Sequence, residues 1–461
     1  MNFFKKYIGT RSFYKTVLAL MIPIMIQNGI TNLVNMIDNV MIGAVGTTEL
    51  NGVAVSNQLF FVFNLCVFGA VSGAGIFGAQ FFGKKDDEGV RHTFRFKILF
   101  SLFLTVVGIL VFIFFGDSLI NLYLKGEGSA EDAALSLTHA REYINVMLWG
   151  LLPYSLVQCY SSTLREGGQP LVPMYSGLIA VGVNLIGNYI LIFGHFGAPP
   201  LGVMGAAIAT VISRWVEFII VAVWTRMNSF KFPFIVGAFR SLKIPFSLVV
   251  GIVKKGFPLM LNESLWAVGI AIINQTYSLK SLDVVSANQI SQTFFNVFST
   301  AFMAVGVAIG IILGQMLGSG DTKGAKDACT KLIAFSVFVS ILVGSLYFVS
   351  ALFIPSFYNT TNEIRTLATA LMQITAIAMP LEAFVHASYF TLRSGGQAFI
   401  TFLFDSCFVW IVNIPVVMIL CHYTSLPIIP LYAISQGLNL IKCLIGGYFV
   451  KKGVWIKKIV R

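Results

Sequence analysis

The sequence predicts an all-α polytopic membrane protein: twelve transmembrane helices in two six-helix lobes related by a pseudo-twofold axis along the membrane normal. Three observations predict it. Hydrophobic residues fill 57% of the 461 positions and charged residues only 11%, against about 25% charged in ordinary soluble domains. Apolar runs of roughly 20 residues, the length a helix needs to cross a hydrocarbon core of about 30 Å, recur along the whole chain. The second half of the chain also repeats motifs of the first in the same order, the mark of a duplicated bundle.

Taken in order, the first span (residues 14–42) carries Pro23 and a carboxylate, Asp38, near its far end. The second (53–82) contains GAGIFG at Gly73 to Gly78, where small residues allow close helix packing. No strand precedes that stretch, so its likeness to a dinucleotide-binding pattern is by letter only. The third (97–115) is strongly apolar, and the fourth (141–163) holds Pro153 and closes on TLREGGQ, whose glycine pair suits a tight turn. The fifth (171–193) and sixth (202–226) complete the first lobe. A basic and aromatic stretch, residues 228–250, is too short and interrupted to cross again and is expected along the cytoplasmic surface. The seventh to twelfth spans follow at 247–276, 285–317, 328–353, 364–392, 398–421 and 427–450, with Pro258, Pro380 and Pro415 at expected bends. The domain boundaries are therefore 1–227, 228–250 and 251–461.

The repeat is specific. Pro23 matches Pro258, and Gly75, Gln80, Gly83, Asp86 match Gly310, Gln315, Gly318, Asp321, all at an offset of 235. TLREGGQ (Thr163 to Gln169) matches TLRSGGQ (Thr391 to Gln397) at 228, and Arg214 falls opposite Lys442. Six spans per half is an even number, so the halves share one orientation, with a solvated cavity expected between the lobes.

The net charge of +12 follows the same plan. Basic clusters at Lys5 to Lys15, Lys84 to Lys97, Arg226 to Lys255, Lys323 to Lys331 and Lys451 to Arg461 alternate with loops holding little more than Lys125, Arg141, Lys280 and Arg365. By the positive-inside rule both termini are cytoplasmic, as in a multi-pass protein of the cell inner membrane, and the charge does not point to nucleic acid. The six cysteines show no metal-ligand or CxxC spacing and read as small hydrophobes.

An intramembrane acid is a functional candidate because leaving water costs it several kcal/mol. Asp38 is the first, and its repeat counterpart is Ile273, so the scaffold does not require an acid there. Glu263 and Glu382 are the second-lobe acids; Glu382 has His386 on the same helix face as a possible partner. Arg214 and Glu217, three residues apart, are expected to pair, and Asp405 to be solvated or paired with Arg393.

At these residues the chain resembles the multidrug and toxic compound extrusion (MATE) transporters. The resemblance rests on P-x(14)-D-x(4)-G in span 1 (Pro23, Asp38, Gly43), Q-x-x-G-x-x-D ending spans 2 and 8, the paired LRxGGQ segments, and GAAIATVISR in span 6. It implies twelve helices in two bundles, no nucleotide hydrolysis, and export of amphipathic, often cationic compounds driven by protons or sodium. With no nucleophile and base pair, metal set or phosphate loop in the sequence, neither enzymatic activity nor a cofactor is expected. In one branch of that family the coupling ion is held by an aspartate of span 1, an asparagine and an aspartate of span 5 and a threonine of span 6. Those positions match Asp38, Asn184, Asn188 and Thr210, with Asn188 replacing the second aspartate, so a two-carboxylate relay is not available. A sodium-coupled branch uses acids in spans 7 and 10, matching Glu263 and Glu382 as a second-lobe cation or substrate site.

Depth agrees with the first set. At about 1.5 Å per residue, Asp38 and Asn188 lie roughly 6 to 8 Å from the outer ends of their spans, and Asn184 and Thr210 about 12 to 14 Å. One carboxylate with three neutral oxygens suits sodium; the same carboxylate could instead carry a proton. The expected partners are a small amphipathic substrate and membrane lipid, the expected state a monomer. The alternative is an exporter or flippase of a lipid-linked or polar metabolite within the same superfamily.

Overall fold

The computed structural model describes residues 6–124 and 130–460. Lys5, Lys125 and Arg461, counted above among the loop charges, lie outside the described residues. Among the described residues the regular structure is entirely helical. The long elements are α1 (Arg11–Gly43), α2 (Thr47–Lys84), α3 (Asp87–Leu124), α4 (Ala130–Glu166), α5 (Leu171–Phe193), α6 (Gly202–Met227), α7 (Phe246–Ser278), α8 (Leu282–Ser319), α9 (Thr322–Ser350), α10 (Asn362–Ser394), α11 (Ala398–Tyr423) and α12 (Ile428–Lys452). Eleven of these are long and apolar enough to cross a membrane among the described residues. The other, α4, has the length, 37 residues, but opens on the polar stretch that includes His139, Arg141 and Glu142.

Side chains explain where several helices begin. Asp321 Oδ1 accepts from Gly324 N (2.8 Å) at the start of α9, and Thr361 Oγ1 from Ile364 N (3.3 Å) at the start of α10. These caps satisfy amides that the first helical turn leaves without a partner. The two LRxGGQ segments end α4 and α10 in the same way. Gly168 (φ +80°) and Gly396 (φ +72°) adopt the left-handed conformation that glycine reaches without strain. Gln169 N then donates to Leu164 O (2.9 Å) and Gln397 N to Leu392 O (3.1 Å), the six-to-one bond that closes a helix C-terminus.

α11 departs from regular helix. Leu403–Cys407 and Val409–Asn413 form two π turns before the helix resumes at Ile414. Such turns hold one extra residue and cluster at functional positions.

The chain divides into two compact units. One consists of Ile26–Gly78 and Asp87–Val253, the other of Met1–Met25, Ala79–Asp86 and Lys254–Arg461. Hence α1 and α2 contribute to both. In the first unit α6 packs along α4 and α5, and α4 along α3, over a core that includes Phe60, Phe63, Val67, Tyr143 and Ala207. In the second, α10 packs on α8, α9 and α12, with Tyr347, Leu371, Met379, Val417 and Tyr432 in the core. The first stretch of α1 joins this second unit through Leu20 against Ala308 and Ile311, and Tyr14 against Phe335.

The stretch 228–250 is anchored rather than loosely laid down. Arg91 donates to the carbonyls of Phe234 (3.2 Å) and Pro233 (3.3 Å), and Arg95 to those of Ala238 (2.7 Å), Gly237 (2.8 Å) and Lys243 (3.2 Å). Phe234 is buried while Phe230 and Phe246 are exposed. Non-helical backbone needs partners for its carbonyls, and two arginines of α3 supply them.

Candidate functional site

In the first unit, α1 brings Asp38 to the face that α5 and α6 share. Asn188 Nδ2 donates to Asp38 Oδ1 at 2.6 Å, and one turn earlier Asn184 lies 3.1 Å from Thr210 Oγ1. Asn188 and Asn184 are i and i+4 on α5, so they point the same way, and their side chains are 3.5 Å apart. Thr210 returns its hydroxyl to Ala206 O (3.0 Å), a common use of threonine inside a helix. Both asparagines are buried, and Asn188 Oδ1 has no hydrogen-bond partner. All four residues singled out in the sequence are thus in one cluster.

The orientation of the Asn184 amide has a chemical meaning. With its oxygen toward Asp38, two acceptors face each other; turned over, its nitrogen donates to Asp38 Oδ1 (3.1 Å) and Oδ2 (3.3 Å) while its oxygen accepts from Thr210 (3.1 Å). Without a cation the turned amide is favoured, because it satisfies the carboxylate. With a cation at the carboxylate, the oxygen-facing orientation adds a ligand.

Glu217 on α6 is the partner of Arg214, at 3.1 Å, and the Arg214 guanidinium lies over the Tyr154 ring (5.5 Å). Beside them Arg165 donates to Gln27 Oε1 (2.6 Å), and Gln27 donates to Pro173 O (3.2 Å).

In the second unit Glu263 and Glu382 have different partners. Glu263 accepts from Tyr389 Oη at 2.9 Å. Glu382 accepts from Asn439 Nδ2 of α12 at 3.5 Å, while His386 packs against Phe390 and Phe302; the expected Glu382–His386 pair gives way to these neighbours, since α12 and α8 lie against that face of α10. Asp405 also differs from expectation. It is paired and only partly exposed: Lys442 Nζ sits at 2.6 Å and Asn262 Nδ2 at 3.0 Å, and Lys442 is itself buried. The π turns position this group, for Ser406 next to Asp405 bonds Asn262 through both N (3.2 Å) and Oγ (2.8 Å to Oδ1).

Lys97 corrects the charge count. Placed among the loop charges from the sequence, it is fully buried, with Nζ 2.7 and 2.8 Å from the two oxygens of Glu166 and 3.0 Å from Thr163 Oγ1. Gly75 and Gly78 of GAGIFG make room, since a Cβ at either would collide with the Glu166 carboxylate. A lysine within an otherwise apolar run, with a membrane-embedded acid elsewhere in the same half, was the available signal.

Comparison with known proteins bears on the family and the fold. A family model described as MatE matches residues 23–190 and 258–419. The chain is 23% identical to the probable multidrug resistance protein NorM of Thermotoga maritima, covering 97% of this chain and 94% of the relative. It is 24% identical to the probable multidrug resistance protein YoeA of Bacillus subtilis, covering 97% and 95%. Among solved structures, one reported as the outward-facing conformation of a multidrug resistance MATE family transporter superposes with a TM-score of 0.86 at 18% identity, over 98% of each chain. A Vibrio cholerae MATE transporter, VcmN, gives 0.86 at 16% identity, over 96% of this chain and 97% of that one.

Proposed function

For a chain that belongs to the MatE family, we propose a cation-coupled antiporter of the bacterial cell membrane that exports amphipathic, cationic compounds by alternating access. The names of the relatives support drug-like cargo. The observation that carries the coupling is the Asp38 cluster: one carboxylate among two buried amides and a hydroxyl, with a spare acceptor on Asn188. A cation or proton there must bind the two access states with different affinity, because equal affinity shifts no equilibrium.

Asp38 is the ion-binding group in this reading, and Asn184, Asn188 and Thr210 are its neutral oxygen donors. Sodium calls for the Asn184 oxygen turned inward; a proton on Asp38 leaves the carboxyl able to donate. Glu263 and Glu382 act as a second-lobe cation or substrate site. The moving bodies are residues 1–227 and 251–461, joined by 228–250, with both termini cytoplasmic and the protein a monomer.

The test is transport of a fluorescent lipophilic cation into or out of proteoliposomes under a proton gradient and, separately, a sodium gradient. One gradient drives flux in the wild type, and Asp38→Asn reduces that flux about tenfold or more, the size of a lost coupling of roughly 1.4 kcal/mol or above. Undiminished flux in Asp38→Asn overturns the reading.

A further inference from the structure

The C-terminal end of α2 is fastened by a segment of irregular chain. Gln80 is fully buried, and its amide makes three hydrogen bonds. Its Nε2 donates to Ser394 O and Lys457 O, both at 3.1 Å, and its Oε1 accepts from Ile459 N at 2.8 Å. A primary amide presents a donor and an acceptor side by side, so it pairs with residues two apart on an extended chain much as a neighbouring strand does.

That chain is the strap of residues 453–460, which leaves α12 at Gly453 (φ +72°). It is docked, not draped: Trp455 and Val460 are buried, at 1% and 3% exposure. A Cβ on Gly395 would collide with the Trp455 carbonyl, and one on Gly396 would lie 3.3 Å from Ile459. The glycine pair of TLRSGGQ therefore both turns the chain after α10 and opens the seat for the strap.

On its other side the same end of α2 meets α8 backbone to backbone. A Cβ on Gly83 would collide with the Gln315 carbonyl, and one on Gly318 with the Gln80 carbonyl. Such contact gives dispersion, and the Gln80 amide adds a directional fastening to it. Because Gly75 and Gly78 abut Glu166 only a turn earlier, α2 is seated on Glu166 just before Ala79 and on the strap just after it.

We propose that residues 453–460 are a latch: through Gln80 they hold the C-terminal end of α2, and their release precedes any movement of that end. The bonds are three, neutral and made by one side chain, so they are reversible; the buried Trp455 holds the root of the strap, and residues 456–460 part from the end of α2 and open together with it.

Hydrogen exchange of the purified full chain in lipid nanodiscs tests this without a substrate, so its outcome is separate from that of the transport reading. In Gln80→Leu, and in a variant ending after Lys452, amides of residues 79–86 are expected to exchange about tenfold faster or more, with α5 unchanged. Wild-type rates at 79–86 in either variant overturn the proposal, as does equal acceleration in α5, which marks general destabilisation. In the wild type, residues 79–86 and 456–460 should open at one common rate; clearly different rates overturn the latch even if neither variant folds.

Discussion

Each half of the molecule keeps a cation at one matched position, Arg214 on α6 and Lys442 on α12, yet the two find their acids on different helices. Arg214 pairs with Glu217 on its own helix, whereas Lys442 pairs with Asp405 on α11. The counterpart of Asp405 is Gly177, and a Cβ there would lie 3.6 Å from Glu217 Oε1. The carboxylate thus arrives in the same neighbourhood by another route. What the duplicated scaffold preserves is a compensated charge, not a particular acid.

The Asp38 cluster shows the opposite behaviour. Asp38, Asn188 and Thr210 correspond to Ile273, Val417 and Leu438, and only Asn184 keeps its type, as Asn413. Ile273 and Val417 sit in the apolar core of their unit. Asn413 is matched through the shared Val-Asn pair at an offset of 229, one more than LRxGGQ, which the π turns of α11 accommodate. A polar group present in one half and replaced by packing in the other is not demanded by the fold, and this is why Asp38 rather than Arg214 carries the functional reading.

Substitutions that copy one half onto the other sharpen this contrast. The largest effect belongs to Lys97, whose counterpart Leu332 is equally buried. Lys97→Leu removes the cation held against both oxygens of Glu166 and is expected to cost about 3 to 5 kcal/mol in thermal unfolding, while adding Glu166→Ser, the residue of the second half, recovers most of it. Lys442→Met comes next, nearer about 3 kcal/mol, since Asp405 is 17% exposed and keeps its bond from Asn262. Arg214→Met is the smallest, below about 1 kcal/mol, because the Arg214 side chain is 34% exposed and Glu217 still feels Arg165. If Arg214→Met proved as damaging as Lys442→Met, the two cations would be equivalent and the contrast would fail.

The span plan and Asp38 were legible because hydropathy, loop charge and the repeat all bear on single helices, whereas Asn184, Asn188 and Thr210 were legible through the resemblance to a family's motifs. Contacts across helices were less so. Lys97 reads as a loop charge until α4 is seen to bring Glu166 beside it, and Asp405 reads as interfacial until α12 is seen to deliver Lys442. The π turns have no periodicity signature of their own, for one added residue per turn barely changes an apolar run of 26.

Those turns also make the length of α11 negotiable. In a regular helix, losing one residue rotates everything beyond it by about 100°, which in α5 would carry Asn188 away from Asp38. Within Val409–Asn413 a one-residue deletion instead lets a wide turn tighten to ordinary helix, with both flanks still facing as before. Deletion scanning for folded protein should therefore find tolerance at Val409–Asn413 and none within Leu171–Phe193.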